Sequence, residues 1–316
     1  MRLLVTGGAG FIGSHFIRQM LRREHLICCV DNLTYAADLG RLQDCMEHPN
    51  FSFVKENICD CAAIKEVFDR FVPEMVVNFA AESHVDRSIT DPLIFVRTNV
   101  EGVGVLLEQC RRRDIPFHQI STDEVYGPAS PEEEQGCRED APLLPSNPYA
   151  ATKASADLLA LSYFRTYGLP VTITRCCNNF GEGQHREKLI PMTIDAALRG
   201  REIPVYGDGL QRRCWISVRE HCRAVAAVLE GGTPGEIYNI APQTELENLT
   251  LIHRILDQLG CGHHLIRFVP DRPGHDRRYR ICAEKMRQQL GFCTEGDFER
   301  ELSYCVEWYA KQIRSR

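Results

Sequence analysis

Thr6-Gly7-Gly8-Ala9-Gly10-Phe11-Ile12-Gly13 follows a short apolar run, Leu3-Leu4-Val5, and opens residues patterned as a helix through Arg22. Gly7, Gly10 and Gly13 recur at a spacing of three. Such glycines permit a tight turn and let the backbone approach a pyrophosphate at the N-terminus of the next helix. A lone glycine pattern is weak evidence. Here it has a strand before it, a helix after it and an acid, Asp31, closing the next apolar run. Asp31 is suited to accept hydrogen bonds from an adenosine ribose and to repel a 2′-phosphate, which favours NAD over NADP. Asp60, after Asn57-Ile58-Cys59, has two readings: contact with the adenine edge, or a helix N-cap.

Outward from that loop, short apolar strands are expected at residues 26–30, 51–54, 75–79, 117–121 and 171–174. Helices are expected at 62–71, 99–113 and from Tyr149 to 167. Strands alternating with helices imply an α/β, Rossmann-type, doubly wound parallel sheet, with ligands at the carboxyl ends of strands. The last third is richer in glycine, proline and charge. The expected division is an NAD-binding domain over 1–175, with 206–230 returning to it, and a smaller C-terminal substrate-binding region from 176–205 and 231–316. Helix 150–167 carries apolar residues on more than one face, so one face can cover the sheet and another a second copy of the chain, predicting a homodimer through a helix-bundle interface.

A net charge of −6 argues against nonspecific nucleic-acid binding. No run approaches the roughly 18 apolar residues of a membrane span. The fifteen cysteines include no C-x-x-C pair, so they read as small hydrophobes in a reducing cytoplasm, and no metal site is expected.

The chemistry-bearing residues are Tyr149 and Lys153 in Ser146-Asn147-Pro148-Tyr149-Ala150-Ala151-Thr152-Lys153, and Ser121-Thr122-Asp123-Glu124 upstream. Positions four apart share a helix face. A lysine there is expected to lower the tyrosine pKa, readying the phenol to take a proton from a sugar hydroxyl. Asp123 and Glu124 are adjacent carboxyls, which tend to push their pKa values apart. Neighbours on an extended strand point opposite ways, so a bend must bring both to one substrate.

The glycine loop combined with Tyr149 and Lys153 resembles the extended short-chain dehydrogenase/reductase family, whose members act mostly on nucleotide sugars. The stretches at 80–88, 121–127, 178–179, 187–191 and 272–279 are similar to its 4,6-dehydratase branch, over nearly the whole chain. The resemblance implies NAD-dependent dehydration of a nucleoside-diphosphate glucose, dTDP-glucose foremost, to the 4-keto-6-deoxy sugar. Tyr149, with Lys153, would act at the 4-hydroxyl, Glu124 would take the C5 proton, and protonated Asp123 would donate to the departing 6-hydroxyl. Thr122 would bond the 4-oxygen. Cofactor contacts are expected from Gly7, Gly10, Phe11, Ile12, Gly13, Asp31, Asn32, Asp60, Ala80, Ala81, Asn99, Tyr149 and Lys153. Substrate contacts are expected from Ser83, Thr122, Asn178, Lys188, Leu189, Tyr206, Arg213, Asn248, Arg272 and His275. The chain departs from the family pattern at Cys214, where Asp is usual, and at Cys177, where Ser is usual. Competing readings are another nucleotide-sugar reaction of the family, epimerisation or decarboxylation, and a non-catalytic NAD-binding regulator.

Overall fold

The computed structural model describes residues 1–130 and 134–315. Its first strands form on the expected runs: β1 (Arg2–Thr6), β2 (Leu26–Val30), β3 (Phe51–Val54) and β4 (Met75–Asn78), with α1 (Phe11–Leu21) and α2 (Cys61–Phe71) between them. Two short helices, α3 (Val85–Thr90) and α4 (Pro92–Val96), run through a wide turn at Arg97–Glu101 into α5 (Gly102–Arg113). The helical stretch thus starts earlier than expected, because Pro92 stands where its missing N–H is not needed by the helix. β5 (Phe117–Thr122), α6 (Pro148–Tyr167) and β6 (Val171–Cys176) complete the predicted elements. Beyond them lie β7 (Asn178–Phe180), α7 (Leu189–Leu198), β8 (Ile203–Tyr206), β9 (Arg212–Ser217), α8 (Val218–Gly231) and β10 (Ile237–Ile240). β11 (Glu245–Glu247), α9 (Asn248–Leu259), β12 (Ile266–Val269), α10 (Glu284–Leu290) and α11 (Phe298–Arg314) close the chain.

Seven strands form one parallel sheet in the order β10-β6-β5-β4-β1-β2-β3. The order reverses between β1 and β4, and that switch point opens a crevice at the carboxyl ends of the strands. The two-residue period of a strand sorts the core. Leu3 and Val5 of β1 face Phe16 and Ile17 of α1, whereas Leu4 packs with Phe68, Leu106 and Val76 on the opposite face. A separate apolar core, with Phe180, Ile190, Trp215, Leu251, Leu302 and Val306, holds α7, α9 and α11 together.

The expected segment boundaries need correction. β9, within the segment 206–230 assigned to the main sheet, instead joins β7 and β11 in a three-stranded sheet. α8 does return, packing against α1. The seventh central strand is β10, from the segment assigned to the smaller region, paired with β6 from Ile237↔Ile173 to Ile240↔Cys176. Its four residues, Ile-Tyr-Asn-Ile, follow a glycine-rich loop and include a buried asparagine; Ile237, Tyr238 and Ile240 favour a strand, but the run is short and its place in the central sheet is set by pairing with β6. Asn239 is tolerated because its Nδ2 donates to the Cys137 carbonyl at 3.0 Å and its Oδ1 accepts from the Tyr126 hydroxyl at 2.9 Å.

Candidate active site

The glycine loop connects β1 to α1 beside the loop that follows β4. Gly7 has φ +70°, and a Cβ there would lie 2.5 Å from the Ala80 nitrogen. A Cβ on Gly13 would lie 2.5 Å from the Gly7 carbonyl oxygen. Both glycines are therefore required by close approach. Gly7→Ala is expected to destabilise the fold by about 1–3 kcal/mol through backbone strain alone, with the steric clash adding to it; a melting curve checks this, and an unchanged midpoint would contradict it. Gly10 caps α1 without a side-chain bond, so the first amides of α1 remain open to an anion.

Asp31 sits at the end of β2 as expected, but its carboxylate also holds the loop. Oδ2 accepts from the Ala9 amide at 2.9 Å and Oδ1 from the Leu33 amide at 2.8 Å. Burial raises its pKa, against those two hydrogen bonds. Gly7, Gly10, Phe11, Ile12, Gly13, Asp31, Asn32, Ala80 and Ala81 all line one cleft of about 380 Å³. Asp60 does not line it. Its Oδ1 accepts from the Ala62 and Ala63 amides, both at 3.0 Å, and it caps α2. The adenine-edge reading of Asp60 is thus corrected, and Asn57 and Ile58 line the cleft in its place. Asn99 acts one step back: it accepts from the Glu82 amide at 2.8 Å and donates to the Glu82 carbonyl at 3.0 Å and to Thr152 Oγ1 at 2.9 Å. It pins the 80–83 loop to α6.

The same cleft is lined by Thr122, Asp123, Glu124, Tyr149 and Lys153. The required bend is a tight helical turn at Asp123–Tyr126, begun by Thr122 Oγ1 accepting from the Glu124 amide at 3.3 Å. It swings both carboxyls to the cleft. Asp123 is buried with one oxygen accepting from the Thr122 hydroxyl at 3.2 Å, and its Oδ2 has no hydrogen-bond partner among the described residues. Burial, then the neighbouring Glu124, raise the Asp123 pKa well above the usual carboxylate range. Glu124 is only partly buried, and its Oε2 accepts from Asn147 Nδ2 at 3.4 Å. Asn147 also caps α6, its Oδ1 accepting from the Ala150 amide at 2.9 Å. An Asn before Pro is a legible helix-start signal, but its second contact depends on the fold.

The lysine–tyrosine expectation is corrected in one respect. Burial raises the Tyr149 pKa, the Glu124 charge adds to that, and a hydrogen bond with Thr122 opposes it. Lys153 is itself lowered to about 8 by burial, against the attraction of Asp157, and its ammonium donates to the Ile120 carbonyl at 2.5 Å. Enclosure and the neighbouring carboxylate, not the lysine, set the direction of the phenol's shift.

Beneath the site, Arg175 Nε donates to Asp157 Oδ2 at 2.9 Å, with both side chains at most 2% exposed. Ser121 donates to the same oxygen at 3.0 Å. Arg175→Met is expected to cost about 3–5 kcal/mol, because the Asp157 carboxylate would be left buried without its cation. Chemical denaturation tests this, and a loss under 1 kcal/mol would contradict it.

The expected substrate residues fall into two groups. Ser83, Thr122, Asn178, Lys188 and Leu189 line the cleft, with Lys188 Nζ donating to the Ser83 carbonyl at 3.3 Å. Tyr206, Arg213, Asn248, Arg272 and His275 lie outside that lining. Tyr206 meets the edge of His275 at 6.1 Å, and the Arg272 guanidinium lies 6.0 Å from the Tyr206 ring centroid. Arg272 Nε is buried and unpartnered among the described residues, while its Nη1 donates to Asp86 at 3.3 Å. Arg213 is more committed. It donates to the Asp276 and Arg212 carbonyls, both at 2.8 Å, and lies 4.1 Å from the Tyr279 ring centroid. Asn248 Oδ1 is buried without a partner among the described residues. Cys176, Asn179, Trp215 and His221 also line the cleft and were not singled out by sequence reading as site residues.

Residues 4–303 match the family model described as GDP-mannose 4,6 dehydratase. A dTDP-glucose 4,6-dehydratase of Streptomyces niveus is 46% identical over 316 residues, spanning 98% of this chain and 93% of that protein. The crystal structure of DesIV, a dTDP-glucose 4,6-dehydratase from Streptomyces venezuelae with NAD and TYD bound, superposes with a TM-score of 0.96 at 43% identity, covering 100% of this chain and 98% of that one. A UDP-glucose 4-epimerase from Thermotoga maritima, solved with UDP-glucose, also superposes, with a TM-score of 0.92 at 28% identity, covering 99% of this chain and 100% of that one.

Proposed function

The chain belongs to the GDP-mannose 4,6 dehydratase family, and from that membership and its cleft we propose that it dehydrates dTDP-glucose to the 4-keto-6-deoxy sugar nucleotide, using NAD. The observation that carries the reading is the pair Asp123–Glu124, one carboxyl buried with a raised pKa and its neighbour only partly buried in the same cleft. Epimerisation at C4 expels no water and needs no such acid, so the pair separates this chain from the epimerases that share its fold.

The residues fit the cofactor. The uncapped start of α1, the Gly7 approach and the Asp31 carboxylate suit a pyrophosphate and an adenosine ribose. When bound, NAD supplies the hydride acceptor and a cationic ring whose charge favours a phenolate. Tyr149 takes the proton of the 4-hydroxyl, with Thr122 bonding the same oxygen. Lys153 holds positive charge on the Tyr149 face of α6. The ketone at C4 acidifies C5; Glu124 removes that proton and returns one to C5 once water has left and C6 has taken back the hydride lost from C4. Asp123, kept protonated by its enclosure, protonates the departing 6-hydroxyl. Lys188, Leu189 and Asn178 hold the sugar end of the nucleotide, and the Tyr206–Arg272–His275 cluster, with Arg213 and Asn248, holds the base and diphosphate. The unpartnered Arg272 Nε suits an anionic oxygen.

Exposed Ile89, Leu93 and Val96 on α3 and α4, with Leu158 on α6, supply an apolar face for a second copy of the chain. The fifteen cysteines, with no C-x-x-C pair among them, suit a cytoplasmic setting. No helix among the described residues is long and apolar enough to cross a membrane.

The test is mass spectrometry after incubation with dTDP-glucose in deuterated water, with UDP-glucose and CDP-glucose in parallel. Loss of one water with one deuteron gained at C5 is expected, fastest with dTDP-glucose. Unchanged mass with all three would sink the assignment.

A further inference from the structure

We propose that Arg41 is the residue that retains the cofactor, its guanidinium clasping three stretches of the cleft wall together at the nucleotide end. Arg41 sits on the short helical turn Leu39–Leu42, beyond β2. Its Nη1 donates to the Ala9 carbonyl at 3.1 Å, in the glycine loop, and to the Ala36 carbonyl at 2.8 Å, in the loop after Asp31. Its Nε donates to the Gly183 carbonyl at 2.9 Å, in the turn after β7. Gly10, Ala36 and Gln184, one from each stretch, line the cleft. One planar side chain thus joins the β1–α1 loop, the loop after β2 and a turn of the smaller region. A guanidinium suits the task because it is always charged and holds its donors in a fixed fork.

Two of the three anchors are fixed independently. The Ala9 carbonyl also accepts from the Asp38 amide at 3.0 Å. Gly183 has φ +80°, a conformation that strains other residues. The turn around it is pinned from two more elements. His15 Nε2 donates to the Glu182 carbonyl at 2.9 Å from α1, and the Tyr309 hydroxyl donates to the Gln184 carbonyl at 2.7 Å from α11. The loop after Asp31 is held across the cleft by less. Tyr35, exposed on that loop, donates to Glu187 Oε1 at 3.5 Å and meets the His185 ring edge-on at 5.6 Å. Removing the Arg41 side chain therefore frees the loop and leaves the turn in place.

The consequence rests on the proposed reaction and its cofactor. Hydride lost from C4 comes back at C6, so NAD is restored in place and turnover does not require its release. The start of α1 and Asp31, which hold the nucleotide half in that reading, each adjoin a stretch tied to the same guanidinium. Release then requires the Arg41 bonds to break. Arg41 is a positioning residue, because it acts through the loops and is not itself part of the cleft lining.

The test follows NAD and not the sugar, so a parent that retains NAD but dehydrates nothing fails the dehydration reading and leaves this one standing. Holoenzyme carrying isotopically labelled NAD is chased with excess unlabelled NAD, and the label still bound is counted after timed gel filtration. Arg41→Met keeps an apolar stem and bonds no carbonyl; it is expected to release the label about tenfold faster than the parent or more, as for loss of hydrogen bonds from a charged donor. Arg41→Lys keeps the charge, but one ammonium cannot occupy the Nε and Nη1 positions at once, so release about threefold faster or more is expected. Arg18→Met is the control for loosening: Arg18 donates to Asp44 at 2.7 Å and to the Arg41 carbonyl, tying the same turn to α1 without crossing to Gly183. Its release is expected to stay within about twofold of the parent, as for an exposed ion pair. Parent-like release from Arg41→Met would overturn the proposal. Parent-like release from Arg41→Lys would assign the effect to charge, and an equal acceleration in Arg18→Met would assign it to loosening of the turn; either overturns it as well. Where Arg41→Met yields no folded protein, the lysine variant decides alone.

Discussion

Tyr149→Phe is expected to lower kcat by about 10²–10⁴-fold, the usual worth of a positioned general base, while NAD stays bound. The substitution removes one oxygen and keeps the ring, whose edge meets Phe95 at 6.4 Å. It also keeps the helix and the buried Lys153 contact with Ile120. The glycine loop and Asp31, which we propose hold the nucleotide half of the cofactor, follow separate elements, β1 and β2. Binding and chemistry are therefore separable in this chain. The measurement pairs steady-state turnover with the cofactor content of the purified variant. A variant that keeps a tenth of the parent's turnover would remove Tyr149 from the proton transfer. One that loses NAD as well would show a structural role. Either result would remove the base role from Tyr149; NAD binding by the parent without turnover of any nucleotide sugar is what would favour a non-catalytic NAD-binding protein, which needs the glycine loop and Asp31 but not the phenol.

The second large effect belongs to Asp123, where function and stability are expected to move in opposite directions. Asp123→Asn keeps the shape of a protonated acid but cannot give its proton to a leaving hydroxyl. Dehydration is expected to fall by about 10²–10⁴-fold, while oxidation at C4 survives and the reduced cofactor accumulates, visible in its near-ultraviolet absorbance. Stability follows from the raised pKa. The folded state holds this proton where the unfolded chain has released it, so between the unfolded pKa near 4 and the folded value the native protein binds more protons. The contribution of Asp123 to stability is fully present below the unfolded pKa and is lost as pH rises through the folded one. Asparagine has no such dependence. The variant is therefore expected to melt no lower than the parent at neutral pH, with the difference between them shrinking toward pH 4. A variant that melts much lower at pH 7, or that shows no accumulation of reduced cofactor, would contradict the acid role. Glu124→Gln is the useful contrast, since that carboxyl is partly exposed and carries no comparable burial.

These effects depend on the bend at Asp123–Tyr126. An extended strand would have turned one carboxyl into the core and the other toward solvent. The bend is set by a local bond, Thr122 Oγ1 accepting from the Glu124 amide, and by Asn147, which caps α6 and also donates to Glu124. The acid–base pair is thus positioned by residues from two segments more than twenty positions apart.

What the sequence determined by itself was local. Glycines at a spacing of three, the apolar runs that became β1 to β6, and the i, i+4 placement of Tyr149 and Lys153 all follow from backbone geometry and period. Those alone were enough for the doubly wound sheet and for a cleft at the carboxyl ends of its strands, whereas most residues expected to line it came from the family resemblance. The tertiary structure decided what depends on partners distant in the chain. β10 joins the central sheet by pairing with β6, and its buried Asn239 is satisfied by Tyr126 and Cys137; its Ile and Tyr residues favour a strand, but not which sheet receives it. Asp60 caps α2, and Asn57 and Ile58 line the cleft, because the loop before that helix turns them inward. The phenol of Tyr149 is raised and the carboxyl of Asp123 stays protonated because both are enclosed. Enclosure is a property of everything packed around a group, and spacing along the chain does not encode it.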